Sequence, residues 1–192
     1  MKASEIKKQE ILSVATELFS TLPYHKVAMD DIARKAGVAK GTLYYHFKSK
    51  EALYASLLHK GLDSMLSRLK ESFIKKDPLE NLLLFIKELA TFFHEKREFF
   101  LVLHQEESSL YSIRLKNCYE KVCTIRELLA SLLREGIQKG CIRDDINSDL
   151  LIEIIMGMIK EPILKNNAVP ESHIDTVAKV LTTGIKKSSC RD

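Results

Sequence analysis

One stretch, residues 28–50, constrains the fold more than any other part of this 192-residue chain. Its sequence is AMDDIARKAGVAKGTLYYHFKSK, and it divides into two short helical segments, 29–36 and 40–47, with Gly37 directly after the first. Glycine adopts left-handed backbone angles without a steric penalty, so it commonly ends a helix at a chain reversal. The stretch therefore predicts two short helices joined by a tight turn, which is a helix-turn-helix.

The second of these helices has an unusual outer face. Leu43 and Phe47 are four residues apart, so they share one face, which we expect to point into the core. The opposite face and its flanks carry side chains that stack or form hydrogen bonds: Thr42, Tyr44, Tyr45 and His46. Lysines bracket the helix on both sides. A helix of this size fits the major groove of DNA, where such side chains reach bases and phosphates.

These residues are similar to a known family. The segment IARKAGVAKGTLYYHFKSKEAL resembles the DNA-binding segment of the TetR family of bacterial and archaeal transcriptional regulators. The resemblance rests on the Ile-Ala of the first helix, the Ala-Gly-Val turn, the run Lys-Gly-Thr-Leu-Tyr-Tyr-His-Phe and the Lys-x-Lys-Glu-x-Leu exit, and it covers residues 5–60. It implies an N-terminal three-helix helix-turn-helix DNA-binding domain over residues 1–48 and a C-terminal ligand-binding and dimerisation domain over residues 49–192.

The resemblance assigns DNA-binding roles to seven positions: Lys40, Gly41, Thr42, Tyr44, Tyr45, His46 and Lys50. Lys40 and Gly41 open the recognition helix, where backbone amides and the helix dipole favour a phosphate. Thr42 and Tyr45 are the candidates for contacts with base edges. The remaining three side chains are expected to hold phosphates and fix the register on the duplex.

Position 28 departs from the family pattern. Most relatives place Thr or Ser just before the first of the two helices, where the hydroxyl caps the helix and touches a phosphate. Ala28 has no hydroxyl, so we expect neither a side-chain cap nor a DNA contact at this position.

The distribution of charge agrees with a DNA-binding N-terminus. Residues 1–50 carry nine Lys/Arg against five Asp/Glu, whereas the rest of the chain carries 21 of each. The whole net charge of +4 therefore lies in the segment that holds the motif, as a phosphate-binding module requires. No apolar run approaches the ~20 residues of a membrane span, and the N-terminus lacks the apolar core of a signal peptide. We expect a cytoplasmic protein with no membrane partner.

Helical periodicity and helix end signals continue through the rest of the chain. The predicted helices cover residues 4–21, a long segment that Ser49 caps, 77–95, 99–107, 111–139, 148–165 and 171–186. Asp77-Pro78 is a typical start, since a capping carboxylate precedes a proline at the first helical position. The prediction is an all-α fold of about nine helices, in which the C-terminal ones form an antiparallel bundle.

The predicted helix 148–165 is apolar over nearly its whole circumference, so it must be covered on all sides. We expect a partner subunit to cover the side that the chain's own core does not, with the last helix beside it. A four-helix interface about a twofold axis would then form. The predicted interface residues are Leu151, Ile155, Met158, Val177, Leu181 and Gly184. A self-contained core is the alternative.

The resemblance also implies a small-molecule effector pocket inside the C-terminal bundle. Six side chains are candidates for its lining: His94, His104, Tyr111, Tyr119, Cys123 and Met156. An ordinary core role is the alternative for each of them. An apolar, aromatic pocket with a few polar groups favours a lipophilic ligand.

Other kinds of chemistry have little support in the sequence. No phosphate loop, dinucleotide fingerprint or nucleophile motif is present, so we predict no catalytic residue and no cofactor. The histidine spacings offer no metal chelate. The prediction is a repressor that binds a palindromic DNA operator as a homodimer and is released by its effector. Three alternatives stay open: a helical enzyme or carrier that retains the domain as a relic, a nonspecific architectural DNA-binding protein, and redox sensing by a single thiol.

Overall fold

The computed structural model describes residues 3–72, 77–105, 115–165 and 170–186. Within these ranges the chain forms nine α-helices and no strand. Their bounds are α1 Ala3–Thr21, α2 Met29–Lys35, α3 Lys40–His46, α4 Lys50–Ser72, α5 Pro78–Glu95, α6 Arg97–Gln105, α7 Lys116–Gln138, α8 Ser148–Leu164 and α9 Pro170–Ile185. A short 3-10 helix, Tyr24–Lys26, lies between α1 and α2. The predicted all-α fold is confirmed.

Packing divides the chain into two units. Unit 1 comprises residues 1–63 and 96–120, and unit 2 comprises residues 64–95 and 121–192. Residues 96–120 join the N-terminal segment because α6 packs closely on α1. The two units are defined by packing, so the domain boundary expected between residues 48 and 49 stays a prediction.

The ends of the helices follow the sequence signals. Gly37 has a φ of 62° and turns the chain between α2 and α3. The Ser49 hydroxyl accepts the Ala52 N–H at 3.2 Å, and the Asp77 carboxylate accepts the N–H groups of the residues two and three positions later. Ala28 makes no side-chain hydrogen bond at the start of α2, as expected. Helix α7 is described from residue 116, and the predicted start at residue 111 lies outside the described residues.

The core of unit 1 forms where α1 packs on α2 and α6, and where α2 packs on α3. Its buried apolar side chains include Ile11, Ala15, Phe19, Ile32, Ala33, Leu43, Phe47, Leu53 and Phe100. Phe19, Tyr24 and Tyr54 form an aromatic triangle in which the ring centroids are 4.7–5.7 Å apart. This triangle connects α1, the 3-10 helix and α4, so it fixes the frame on which α2 and α3 are held.

A close approach inside unit 1 depends on a glycine. A Cβ atom built on Gly61 of α4 would lie 2.0 Å from the Phe99 ring of α6. Phe99 is itself buried, so its aromatic ring lies directly against the backbone of α4. Only the absence of a side chain at position 61 permits this contact, because cores are packed at nearly crystalline density.

The core of unit 2 forms around α5, which packs against both α8 and α9. Its buried apolar side chains include Leu82, Phe85, Ile86, Leu89, Leu151, Ile155, Ile159, Val177, Leu181 and Ile185. The end of α9 is fixed by backbone contacts, because the Arg143 N–H donates to the Ile185 carbonyl at 3.0 Å. The Arg143 guanidinium then pairs with Asp145, so a charged turn closes this end of the unit.

Candidate nucleic-acid interface

Helix α3 separates buried from exposed side chains as its spacing predicts. Leu43 and Phe47 are buried against the rest of unit 1. Tyr45 lies on the other side with 71% of its surface exposed, and Tyr44 is also exposed. Thr42 is half-buried and lies on the same side of α3 as Tyr45. Two adjacent tyrosines on a seven-residue helix therefore face solvent, where their rings and hydroxyls are available to a nucleic acid.

His46 ends α3 and supports the ring of Tyr45. The two rings meet edge to face with centroids 5.2 Å apart, and the histidine is half-buried. The histidine ring therefore lies beside the exposed tyrosine ring at the end of α3.

Lys40 and Gly41 open α3, and each has a distinct environment. The Lys40 ammonium lies 2.8 Å from the Asp30 carboxylate at the start of α2. The hydrogen bond to Asp30, followed by the charge of that carboxylate, raises the pKa of Lys40. Gly41 is exposed, and a Cβ added there would meet no atom within 4 Å, so its backbone is open to approach. A phosphate at this helix end would compete with Asp30 for Lys40. The spacing of these two residues in the sequence did not indicate their ion pair.

Lys50 has partners that differ from those expected of a phosphate-binding lysine. Its ammonium donates to the backbone carbonyls of Tyr24 at 3.0 Å and Val27 at 3.1 Å. It also lies 4.3 Å from the centroid of the Tyr24 ring. The side chain is half-buried in this arrangement, whereas Lys48 is exposed. The structure therefore places six of the seven predicted DNA-binding residues around α3 and directs the seventh inwards.

The predicted effector residues are divided between the two packing units. His104 and Tyr119 belong to unit 1, whereas His94, Cys123 and Met156 belong to unit 2. Tyr111 lies outside the described residues. Met156 is buried and His104 is exposed, with its ring stacked on Phe100. Their role in ligand binding stays a prediction.

His94 belongs to a hydrogen-bonded chain that the sequence did not indicate. Its Nε2 lies 3.2 Å from Nδ1 of His173, and Nε2 of His173 lies 2.8 Å from the Met158 carbonyl. A carbonyl only accepts, so His173 donates through Nε2 and accepts at Nδ1 from His94. Burial, followed by repulsion from His173, lowers the pKa of His94. These hydrogen bonds link α5, α9 and α8.

The predicted subunit interface stays a prediction, but the single chain already buries part of it. Leu151, Ile155, Val177 and Leu181 are buried within unit 2, so little of their surface is left for a partner. Of the other two predicted residues, Met158 is half-buried and Gly184 is exposed. The exposed apolar side chains are instead Leu150 at 62%, Ile154 at 56% and Val180 at 56%. An all-apolar helix has no polar face to mark the outside, so the sequence alone does not distinguish Ile154 from Ile155 as the exposed residue.

Two properties limit the kinds of site that the described residues form. None of the helices seen there combines the length and the low polarity that a bilayer crossing requires. Among those same residues, no three histidine, cysteine or carboxylate side chains converge as metal ligands would.

Comparison with known proteins agrees with this geometry. Residues 11–57 match the family model described as bacterial regulatory proteins, tetR family. Residues 75–163 match the model of the tetracyclin repressor-like C-terminal domain. The first model covers all of α2 and α3, the second half of α1 and the start of α4. It therefore includes every predicted DNA-binding residue.

Individual relatives cover most of the chain. The fatty acid metabolism regulator protein of Bacillus subtilis (strain 168) is 30% identical over 165 residues, which are 85% of this chain and 84% of that protein. The HTH-type transcriptional repressor KstR2 of Mycolicibacterium smegmatis is 28% identical, over 78% of this chain and 74% of that protein. The solved structure of the regulator FadR from Bacillus subtilis in complex with stearoyl-CoA superposes with a TM-score of 0.75 at 26% identity, covering 92% of this chain and 98% of that one.

Proposed function

The chain belongs to the TetR family of bacterial regulatory proteins and is a transcriptional regulator, and we propose that it acts as a homodimeric repressor of a palindromic operator. Each protomer would place α3 in the major groove, and the two copies would occupy successive grooves. Such half-sites are about one helical turn apart, ~34–36 Å.

The exposed tyrosine pair on α3 is the observation that carries the proposal. Tyr45 is more exposed than any other large apolar or aromatic side chain of the described residues, although α3 is packed into unit 1 by Leu43 and Phe47. Exposed aromatic rings with hydroxyl groups suit base edges and sugar-phosphate, and these two rings leave much of their surface in solvent in the free protein. We propose that Thr42 and Tyr45 contact bases, and that Lys40, Gly41, Tyr44 and His46 contact phosphates.

The homodimer is supported by the exposed aliphatic side chains of unit 2. Leu150, Ile154 and Met158 are spaced at four-residue intervals along one face of α8. Val180 and Gly184 share a face of α9 in the same way. Both helices pack on α5 through their other side, so these exposed faces point away from the unit's own core. Packing them against a second copy would remove the apolar surface from water at ~25 cal/mol per Å².

We propose that the effector is a lipophilic molecule such as a long-chain acyl-CoA. The Bacillus subtilis regulator FadR was solved with stearoyl-CoA, and the Bacillus subtilis relative is named for fatty acid metabolism. The effector must bind the state with low DNA affinity more tightly than the DNA-bound state, since only differential affinity shifts the equilibrium. Helix α4 contributes residues to both packing units, so it is the segment through which such a signal would pass.

Selection of bound sequences from random duplex DNA tests the proposal. An inverted repeat with half-sites one helical turn apart, bound by two protomers per site, is the expected result. Equal affinity for all duplexes would instead indicate an architectural protein, and no binding at low ionic strength would refute the assigned function.

The selected duplex then serves to test the effector. Stearoyl-CoA should release the protein from its operator at micromolar concentrations, with coenzyme A alone as the matched control. Release by neither compound would exclude long-chain acyl-CoA as the effector, without affecting the assignment of DNA binding.

A further inference from the structure

The ammonium group of Lys50 is engaged by the protein's own backbone. It donates to the Tyr24 carbonyl at 3.0 Å and to the Val27 carbonyl at 3.1 Å. The Tyr24 ring centroid lies 4.3 Å away on another side, at the distance of a cation–π contact. An ammonium has three N–H donors, so two are used on carbonyls and the ring lies beside the group.

These partners lie on the segment that leads into α2. Val27 follows the 3-10 helix, and Ala28 is the residue before α2, where it provides no side-chain cap. The segment is therefore not fixed from the helix side by a hydroxyl or carboxylate. Lys50, the first residue of α4, fixes the segment instead. It binds the carbonyl of the first residue of the 3-10 helix and the carbonyl of the residue that follows this helix.

Lys48 has a different environment two residues earlier. It lies between α3 and α4, and its side chain is exposed. A phosphate needs a positive charge that reaches solvent, and Lys48 meets this condition without losing any internal contact. Lys50 would first have to give up two hydrogen bonds from a charged donor, which are among the stronger kinds in proteins.

We propose that Lys50 is a positioning residue, which holds the segment before α2 against the start of α4, and that Lys48 supplies the phosphate-binding charge at this end of α3. The proposal rests on the DNA-binding function given above. Lys50 then contributes to the orientation of α2 relative to α4, so it affects how well the helix-turn-helix discriminates its operator.

The salt dependence of binding to random duplex DNA separates the two roles. Each phosphate contact that is lost lowers the slope of log K against log salt by about 1. Lys48→Met should show this loss. Lys50→Met, which removes the same charge two residues away, should keep the wild-type slope and lose about tenfold in its preference for operator over random DNA, as expected when hydrogen bonds from a charged group are removed. A slope that falls with Lys50→Met and not with Lys48→Met would overturn the proposal.

A measurement on the unmodified protein keeps the test valid if Lys50→Met does not fold. Limited acetylation by acetic anhydride, followed by peptide mass spectrometry, gives the relative reactivity of each lysine. Lys50 should react at least severalfold more slowly than Lys48 in the folded protein and at the same rate in urea. Equal rates in the folded protein would contradict the proposal. Because this experiment needs no DNA, its failure is distinct from a failure of the DNA-binding function.

Discussion

Helices α3 and α8 both expose side chains that a surface helix seldom carries, but of different chemistry. Helix α3 exposes Tyr44 and Tyr45, which have hydroxyl groups and flat rings. Helix α8 exposes Leu150 and Ile154, which have neither. Both helices bury an opposite apolar face in their own unit. Each helix therefore exposes apolar surface to water, but the two surfaces suit different partners.

The chemistry of the exposed atoms indicates the class of partner that each helix surface suits. Aliphatic side chains gain only from contact with other apolar surface, so α8 suits a second protein surface. Tyrosines gain from apolar contact, stacking and hydrogen bonds together, so α3 suits a polar surface with bases and sugars. We propose that α8 serves assembly and α3 serves recognition, and substitutions on the two helices test this assignment.

The largest expected effect distinguishes two neighbouring isoleucines of α8. Ile155 is fully buried in the single chain, so Ile155→Asp places a charge in the core at a cost of several kcal/mol. That is on the order of the whole free energy of unfolding of a domain, ~5–15 kcal/mol, so this variant should be unfolded. Ile154→Asp should be folded and monomeric, because its side chain is exposed in the protomer. Circular dichroism and sedimentation velocity measure both outcomes.

Ser131→Asp on the exposed side of α7 is the control for added surface charge, and it should remain dimeric. A folded, dimeric Ile154→Asp variant would show that the apolar face of α8 is not the subunit interface.

The next effect separates the two faces of α3. Leu43→Ala removes a buried side chain and should lower the free energy of unfolding by about 2–5 kcal/mol. Tyr45→Ala, two residues away, should change it by no more than about 0.5 kcal/mol, because the ring is largely exposed. Urea unfolding of both variants measures the difference. Equal losses would mean that Tyr45 also supports the core.

A smaller effect concerns recognition. Tyr45→Ala should reduce the preference for operator over random DNA by about 1–3 kcal/mol, because a base-edge contact is lost. Tyr44→Ala should weaken binding to both duplexes alike, as expected for a phosphate contact. Competition titrations at fixed salt give both ratios. A Tyr45→Ala variant with unchanged preference would remove this residue from the base-contacting set.

The smallest effect concerns the histidine chain of unit 2. The pKa of His94 is lower in the folded protein than in the unfolded chain, where it is near 6.5. Above that pH both states are neutral at this residue and it contributes nothing to the pH dependence. As the pH falls through 6.5, the unfolded state binds the proton first, so stability decreases.

His94→Gln can still donate to His173 but does not titrate. Its free energy of unfolding should therefore decline less than that of the wild type between about pH 7 and pH 5. Urea unfolding across this range gives the comparison, and parallel declines would show that His94 is not a source of the pH dependence.

The helix-turn-helix could be predicted because its signals are local. Three signals in or beside it act within a few residues: the spacing of Leu43 and Phe47, the glycine after α2 and the cap at Ser49. The cap at Asp77, which starts α5, is equally local, and the structure places all four as the sequence indicates. Contacts between distant segments could not be predicted this way. The partners of Lys50 lie 26 and 23 residues away, and His94 meets a histidine 79 residues further along the chain.

The exposed face of α8 could not be predicted for another reason. Periodicity identifies the buried side of a helix only when the other side is polar, and nearly every position of α8 from Leu150 to Ile159 is apolar. The choice between Ile154 and Ile155 depends on how α8 is rotated against α5. That rotation is set by packing, which no single segment contains.

The contact of Phe99 with the backbone at Gly61 limits how a protein of this kind diverges. A methyl group at position 61 would overlap the ring, which is itself buried. A substitution at 61 alone would therefore force the core open, whereas a smaller residue at 99 leaves space and makes a later change at 61 tolerable. The order of the two substitutions is thus constrained, and we expect descendants to carry either both changes or only the one at 99.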